Sequence, residues 1–364
     1  MKRPFNPYAY ILALSVVGIA ALFAVKNVES ARTATRDGVA MDTLITISVS
    51  APKTERSASE LNRILDEAFA LIEDLDATMS MTNPNSGLAA LNAAAAGKPV
   101  TVSGELYRVL ESAVELAEIT GGAYDPTIGA VTSLWRDGTG GFRVPKSADL
   151  ARARALVGAE NVELTPPDSV TLKKRGVRID LGGIGKGYAS HRVAQLLHER
   201  GIVSALINLG GNVVAVGGKA DGGAWRIGIQ DPGRTRGTPL AAVNVHNTSV
   251  ITAGVYERTW EVDGAAYTHI FDPETGRPIS GDLLSVTVLA DDAVAGDALS
   301  TAFMVMGPSL SLDLLRILPG VDAVFVSGPG GNTGEAFDVL ATEGLRNSIE
   351  LLNRDCTLSF VDVE

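Results

Sequence analysis

Residues 179–188 read Ile179-Asp180-Leu181-Gly182-Gly183-Ile184-Gly185-Lys186-Gly187-Tyr188. An apolar run enters this stretch, four glycines and a lysine fill it, and an amphipathic run with Ala189, Val193, Leu196 and Leu197 on one side leaves it. That is the pattern of a strand, a tight loop and the start of a helix. Glycines let the backbone approach oxygen atoms closely, and the N–H groups of a helix start attract phosphate. Lys186 adds a point charge for the same anion. The spacing fits neither Gly-x-x-x-x-Gly-Lys-Ser/Thr nor Gly-x-Gly-x-x-Gly. A tight strand–helix connection with no ligand is the plain alternative. The glycines and lysine together favour phosphate.

Upstream of the loop, 43–49 alternates as a strand, and 58–76 sets Leu61, Ile64, Leu65, Ala68, Leu71, Ile72 and Leu75 at helical spacing. Ser103 opens a helix through Thr120, stopped by Gly121-Gly122. A segment at 125–135, a glycine-rich loop at 139–144 and a short helix at 148–157 follow, and 170–172 with 177–181 read as a hairpin. Downstream, strands are expected at 205–209, 213–216, 225–229, 243–246, 249–252, 258–262, 267–271, 285–289 and 323–327, with helices at 295–306 and 309–318. Strand runs that follow one another directly rule out a clean doubly wound sheet. The expectation is α+β: mixed and antiparallel sheets flanked by helices, in one catalytic unit of one or two lobes.

Composition agrees with a globular chain. With 46% apolar and 20% charged residues the chain of 364 can bury a proper core. A net charge of −11 without a basic stripe excludes a nucleic-acid partner. The single cysteine, Cys356, cannot form an internal disulfide and reads as a small buried apolar residue. At the N-terminus Lys2 and Arg3 precede an uncharged, mostly apolar run at 8–25, closed by Lys26. Its length lies between a signal-peptide core and a membrane span, and the leading basic residues favour an exported body. The expected organisation is a signal peptide or anchor at 1–30, a connector at 31–38, the catalytic unit at 39–355 and a tail at 356–364.

Two further segments carry chemistry. In Gly296-Asp297-Ala298-Leu299-Ser300-Thr301, Asp297 and Thr301 are four apart and share a helix face. A carboxylate and a hydroxyl beside phosphate oxygens are the hard ligands Mg²⁺ takes, although an aspartate near a helix start is also a common cap. In Tyr267-Thr268-His269-Ile270-Phe271-Asp272-Pro273, His269 falls in a strand just before a turn, where it is a general base or a structural residue. His191, His198 and His246 read as bland. Paired glycines beside polar residues at 121–127 and 208–212 are candidate ligand walls. Gly-x-Ser-x-Gly, Cys-x-x-Cys and His-Glu-x-x-His are all absent from the sequence.

Taken together, these elements resemble the ApbE-type FAD:protein FMN transferases. The segments occur in the family's order: Met41-Asp42-Thr43, Met79-Ser80 with Asn85-Ser86, 121–129, 180–187, Tyr256-Glu257-Arg258, 269–276 and 297–301. The chain departs from the pattern at Thr82, where an aromatic is common, at Val255, and at Gly185 in place of alanine. The resemblance implies an enzyme that binds FAD and Mg²⁺, splits the pyrophosphate, transfers FMN to a threonine hydroxyl and releases AMP. It places flavin contacts on Met41, Ala123, Tyr124, Asp125, Asp180, Lys186 and Ile270. It places metal contacts on the backbone oxygen of Gly183 and on Asp297 and Thr301, and it makes His269 the residue that assists the attacking hydroxyl. The implied partner is an exported or membrane-bound acceptor flavoprotein of the respiratory-complex type, met on the periplasmic side of a bacterial inner membrane. An FAD pyrophosphatase and a non-catalytic flavin carrier remain as alternatives.

Overall fold

The computed structural model describes residues 31–136, 141–331, 334 and 336–363. The apolar run at 8–25 lies outside the described residues, as does part of the glycine-rich loop at 139–144. Strands β1 (Ala31–Ala40) and β2 (Thr43–Pro52) lead into helices α1 (Ala58–Met79) and α2 (Gly87–Ala93) and strand β3 (Val100–Thr101). Helices α3 (Gly104–Ile119), α4 (Gly129–Trp135) and α5 (Ser147–Arg154), strands β4 (Val162–Thr165) and β5 (Ser169–Leu172), and helix α6 (Gly185–Glu199) follow. The β-rich half holds β6 (Ser204–Leu209), β7 (Asn212–Val216), β8 (Trp225–Gln230), β9 (Pro239–Val245), β10 (Ser249–Gly254), β11 (Thr259–Val262) and β12 (Ala265–Thr268). It continues through β13 (Phe271–Asp272), β14 (Arg277–Pro278) and β15 (Leu283–Ala290). Helix α7 (Ala293–Leu315) and strands β16 (Asp322–Ser327), β17 (Asp338–Thr342), β18 (Ile349–Leu351) and β19 (Thr357–Val361) complete it.

One nine-stranded sheet, in the order β1-β2-β6-β7-β10-β15-β16-β17-β19, organises the molecule. Period-two alternation sorts its side chains onto two faces. Ile45, Ile47, Ile207, Leu209, Val286, Val288 and Phe325 join a core with residues of α1, α3, α6 and α7. Ala215, Val250, Val324, Val326 and Val339 join a second core with β8 and β9, in the three-stranded sheet β18-β9-β8. The fold is α+β, as the interleaved runs imply. All the main-sheet pairs are antiparallel except β17 with β19.

The helices at 58–76 and 103–120 form where their periodicity puts them. Ser57 and Glu60 make a capping box for α1, and the Ser103 hydroxyl accepts from the Leu106 N–H at the start of α3. Helix α7 absorbs both expected helices, 295–306 and 309–318, with a break at Gly307, whose φ is 72°. Among the described residues it is the one helix long and apolar enough to cross a membrane. Its contacts with β10, β15 and α6 make it the central core helix.

Three expectations are corrected. Residues 31–38 are not a connector: they belong to β1, paired with β2 along its whole length. An edge strand is bonded on one side only and tolerates polar residues, and here Thr33, Thr35 and Asp37 bond across to Ser50, Ser48 and Thr46. The expected tail at 356–364 is structured through residue 361: β19 adds to β17, and the buried Cys356 accepts the Phe337 N–H. That pairing is non-local and leaves no periodic trace beyond five residues. The hairpin forms between β4 and β5, not between 170–172 and 177–181. The run at 177–181 is extended but needs no ladder, because Asn92 accepts from the Ile179 N–H (2.7 Å) and donates to its carbonyl (2.9 Å).

The β1–β2 turn is strained. Met41 and Asp42 both lie at positive φ, 52° and 56°, in the two-residue hairpin geometry that asparagine and glycine favour. Asp42→Gly is therefore expected to raise stability in denaturant unfolding by about 0.5–1 kcal/mol. An unchanged or lower midpoint would count against strain at this turn.

Candidate active site

The loop at 180–187 is held from three sides. Asp180 accepts the Gly182 N–H (2.9 Å) on one oxygen and the Thr132 hydroxyl (2.8 Å) on the other, and its own N–H donates to the Pro126 carbonyl (2.7 Å). None of Gly182, Gly183, Gly185 and Gly187 has a left-handed backbone, so where a side chain is excluded the reason is space, most severely at Gly187. The space serves two purposes. A Cβ on Gly187 would lie 2.3 Å from the Ala293 carbonyl and 2.6 Å from the Asp297 Cβ, so this glycine lets α6 cross directly against α7. A Cβ on Gly183 would lie 3.2 Å from both the Thr301 hydroxyl and the Tyr124 ring, so Gly183 keeps the site itself open. Gly187→Ala is expected to cost about 1–3 kcal/mol by overpacking. The expected activity loss exceeds that of Gly185→Ala, whose Cβ meets only the Met41 Cε, at 3.5 Å. Equal stability and turnover in the two variants would refute the packing role.

Asp297 stands at the centre. It is 3% exposed, yet both its oxygens are engaged: Oδ2 accepts the Gly187 N–H (2.8 Å) and Oδ1 accepts the Asn212 amide (2.8 Å), with the Lys186 Nζ at 3.6 Å. The donors at the start of α6 thus hold a carboxylate carried by the second turn of α7. One turn further on, the Thr301 hydroxyl lies 3.3 Å from the Asp297 carbonyl and turns toward Gly183. The expected set of Gly183, Asp297 and Thr301 is therefore assembled from the loop before α6 and from one face of α7. Among the described residues no three His, Cys, Asp or Glu side chains gather as a metal site. A single carboxylate with a hydroxyl and a carbonyl nevertheless suits Mg²⁺, which takes few protein oxygens and completes its shell with phosphate and water.

Tyr124 supplies a second sign of a ligand. Its hydroxyl is buried and has no hydrogen-bond partner. Burial, and then the carboxylates of Asp297, Asp180 and Asp125, push its ionisation well above the usual tyrosine range. It therefore remains a donor, and an orphaned buried donor beside the glycine loop can receive a substrate oxygen. Met41 closes the opposite wall, its N–H donating to Asp76 (2.9 Å) and its methyl facing Gly185.

His269 lies in the bend after β12 rather than within a strand. Its Nδ1 is 3.3 Å from the Arg258 carbonyl, and Arg258 reaches back to the Asp42 carbonyl (3.4 Å). Burial, with the Arg258 and Lys186 charges nearby, lowers its pKa to about 4. The neutral ring donates from Nδ1 to the carbonyl, which leaves Nε2 as an acceptor.

Two expected flavin contacts, Asp125 and Ile270, are engaged within the protein. Asp125 is buried and accepts both the N–H and the hydroxyl of Thr127 (2.7 and 2.5 Å), which shapes the turn before α4, and burial raises its pKa. Ile270 is 4% exposed and belongs to the main core, so any contact it makes with a ligand is through its backbone. Ala123 packs against the same core beside Tyr124. Asn212, from the expected ligand wall at 208–212, and Thr132 and Asn92, which carried no expected role, position Asp297, Asp180 and Ile179. Asn92 carried one signal, as a lone amide in an alanine-rich stretch.

A family model described as the ApbE family matches residues 41–325. The chain is 39% identical over 287 residues to the FAD:protein FMN transferase of Treponema pallidum (strain Nichols), covering 75% of this chain and 79% of that protein. It is 34% identical over 265 residues to an FAD:protein FMN transferase of Klebsiella pneumoniae (strain 342), covering 72% and 82%. Among solved structures, the ApbE protein of Thermotoga maritima superposes with a TM-score of 0.73 at 32% identity, over 82% of this chain and 96% of that one. The flavin transferase ApbE of Vibrio cholerae superposes with a TM-score of 0.76 at 27% identity, over 87% and 99%. The matched span takes in the β1–β2 turn, the glycine loop, His269 and Asp297 alike, and the chain belongs to the ApbE family of FAD:protein FMN transferases.

Proposed function

We propose that this chain transfers FMN from FAD to a threonine hydroxyl of an acceptor protein and releases AMP, with Mg²⁺ held by Asp297, Thr301 and the Gly183 carbonyl. The observation that carries the reading is the buried Asp297 carboxylate, gripped by the start of α6, Asn212 and Lys186, beside the unpartnered Tyr124 hydroxyl. Bound there, Mg²⁺ supplies charge neutralisation for the bridging phosphates. Lys186 orients the pyrophosphate, and Tyr124 donates to one of its oxygens. His269 takes the proton of the threonine hydroxyl as that oxygen bonds to the FMN phosphorus. The anhydride P–O bond breaks, and AMP leaves with the electron pair.

Lys2, Arg3 and the apolar run at 8–25 support a catalytic unit exported to the periplasmic side of the inner membrane, anchored or secreted. Its acceptor is then an exported or membrane-bound flavoprotein of a respiratory complex. The test is to incubate the enzyme, FAD and Mg²⁺ with a threonine-bearing acceptor domain and to read mass and nucleotide products together. An acceptor heavier by one FMN, with equimolar AMP, is the expected result. Free FMN with AMP and an unmodified acceptor would make the protein a pyrophosphatase. Tight FAD binding without turnover would make it a carrier.

A further inference from the structure

The hairpin β11–β12 is a two-stranded ribbon outside the main sheet, with exposed residues at Thr259, Glu261, Asp263, Gly264, Ala265 and Ala266. A ribbon of two strands holds no fixed orientation alone. Its base is the site: the Thr259–Thr268 rung is followed by Arg258 and His269, with the imidazole against the Arg258 carbonyl. Two aromatic rings from another part of the chain orient the ribbon, Phe142 on both of its strands and Trp135 on Tyr267 alone. Phe142 lies flat on Trp260, with centroids 4.7 Å apart and planes 7° apart, and meets Tyr267, the cross-strand partner of Trp260, at 5.7 Å. Its other contact is Trp135, at 5.2 Å and 30°. Trp135 is fully buried at the end of α4, donates its indole N–H to the Gly276 carbonyl (3.0 Å), and also meets Tyr267 and Phe271. Helix α4 in turn carries Thr132, which fixes Asp180. The stack thus joins the helix that holds the phosphate loop to the ribbon that holds the base.

We propose that Phe142 is a positioning residue for flavin transfer, acting through His269 by fixing the β11–β12 ribbon against α4. The proposal rests on the transferase reading and on the role of His269 within it. Offset stacking specifies distance and angle together, which a general apolar contact does not. A base displaced by about 1 Å loses up to a hundredfold in rate.

The test is a double-mutant cycle on the full chain with FAD, Mg²⁺ and the acceptor domain. Phe142→Ala is expected to lower kcat about ten- to a hundredfold with the KM for FAD within about threefold. Phe142→Tyr, which keeps the ring, should retain near-wild-type kcat. In the His269→Ala background, Phe142→Ala should cost nothing further, because the group it positions is gone. Trp260→Ala removes the same stack from the exposed side and serves if Phe142→Ala does not fold. Full kcat in either stack variant, or an equal loss with His269 already absent, would overturn the proposal. A wild-type enzyme that leaves the acceptor unmodified would instead refute the transferase reading, and the proposal with it.

Discussion

Asp297→Asn is expected to lower kcat/KM for flavin transfer by roughly a thousandfold or more while the protein stays folded. The carboxylate is the one anionic member of the proposed metal set, so the substitution removes the charge that holds a divalent cation and leaves two neutral oxygens. The fold survives for a local reason. An asparagine keeps one carbonyl oxygen for the Gly187 N–H, and the Asn212 amide can turn its own oxygen toward the new NH₂ group. Unfolding should therefore shift by only about 1–2 kcal/mol. FAD retained by the variant, with Mg²⁺ no longer changing its affinity, would locate the loss at the metal. Turnover within tenfold of wild type would remove Asp297 from the mechanism.

His269→Ala is expected to reduce kcat by about a hundred- to ten-thousandfold with FAD affinity nearly unchanged. The imidazole is held at about 4 by burial and by Arg258 and Lys186, so it is neutral across the physiological range. A base that weak in the free enzyme becomes stronger when the pyrophosphate arrives, because its anionic oxygens offset the two cations. The wild-type kcat/KM, which reports the free enzyme, should fall as pH drops through about 4. The variant should lack that limb. Stability follows the same sign. The folded pKa lies below the ordinary 6.5, so the unfolded chain binds the extra proton between 6.5 and 4. The stabilisation linked to His269 is complete above that window and is lost as pH falls through it. A variant that keeps the acid limb and wild-type kcat would show that the threonine proton goes elsewhere.

Much of the site was legible because its chemistry is local. The four glycines and lysine at 182–187 announce a strand–loop–helix connection, and the four-residue step from Asp297 to Thr301 puts both on one helical face. Ser103 marks a helix start through a hydrogen bond within a single turn. Other features were hidden because their partners lie far along the chain. The Gly187–Asp297 hydrogen bond spans 110 positions, and the Asn212–Asp297 bond spans 85. No periodicity encodes such a pairing.

The α+β class, most of the helices and central strands, the glycine-rich strand–loop–helix connection, and His269, Asp297 and Thr301 as residues with chemistry to offer could all be read from the linear text. Hydrophobic period, glycine placement and side-chain type act over a few residues, and they survive in the linear text. The packed fold was needed to show that 31–38 and 357–361 are strands of the main sheet, that Asp125 shapes a turn and that Ile270 belongs to the core. It likewise divided the loop glycines by duty. Gly183 faces Thr301 and the open site, whereas Gly187 exists so that two helices can touch. Which atoms a missing side chain makes room for depends on what the fold brings opposite it, and that is settled only when α6 and α7 are packed together.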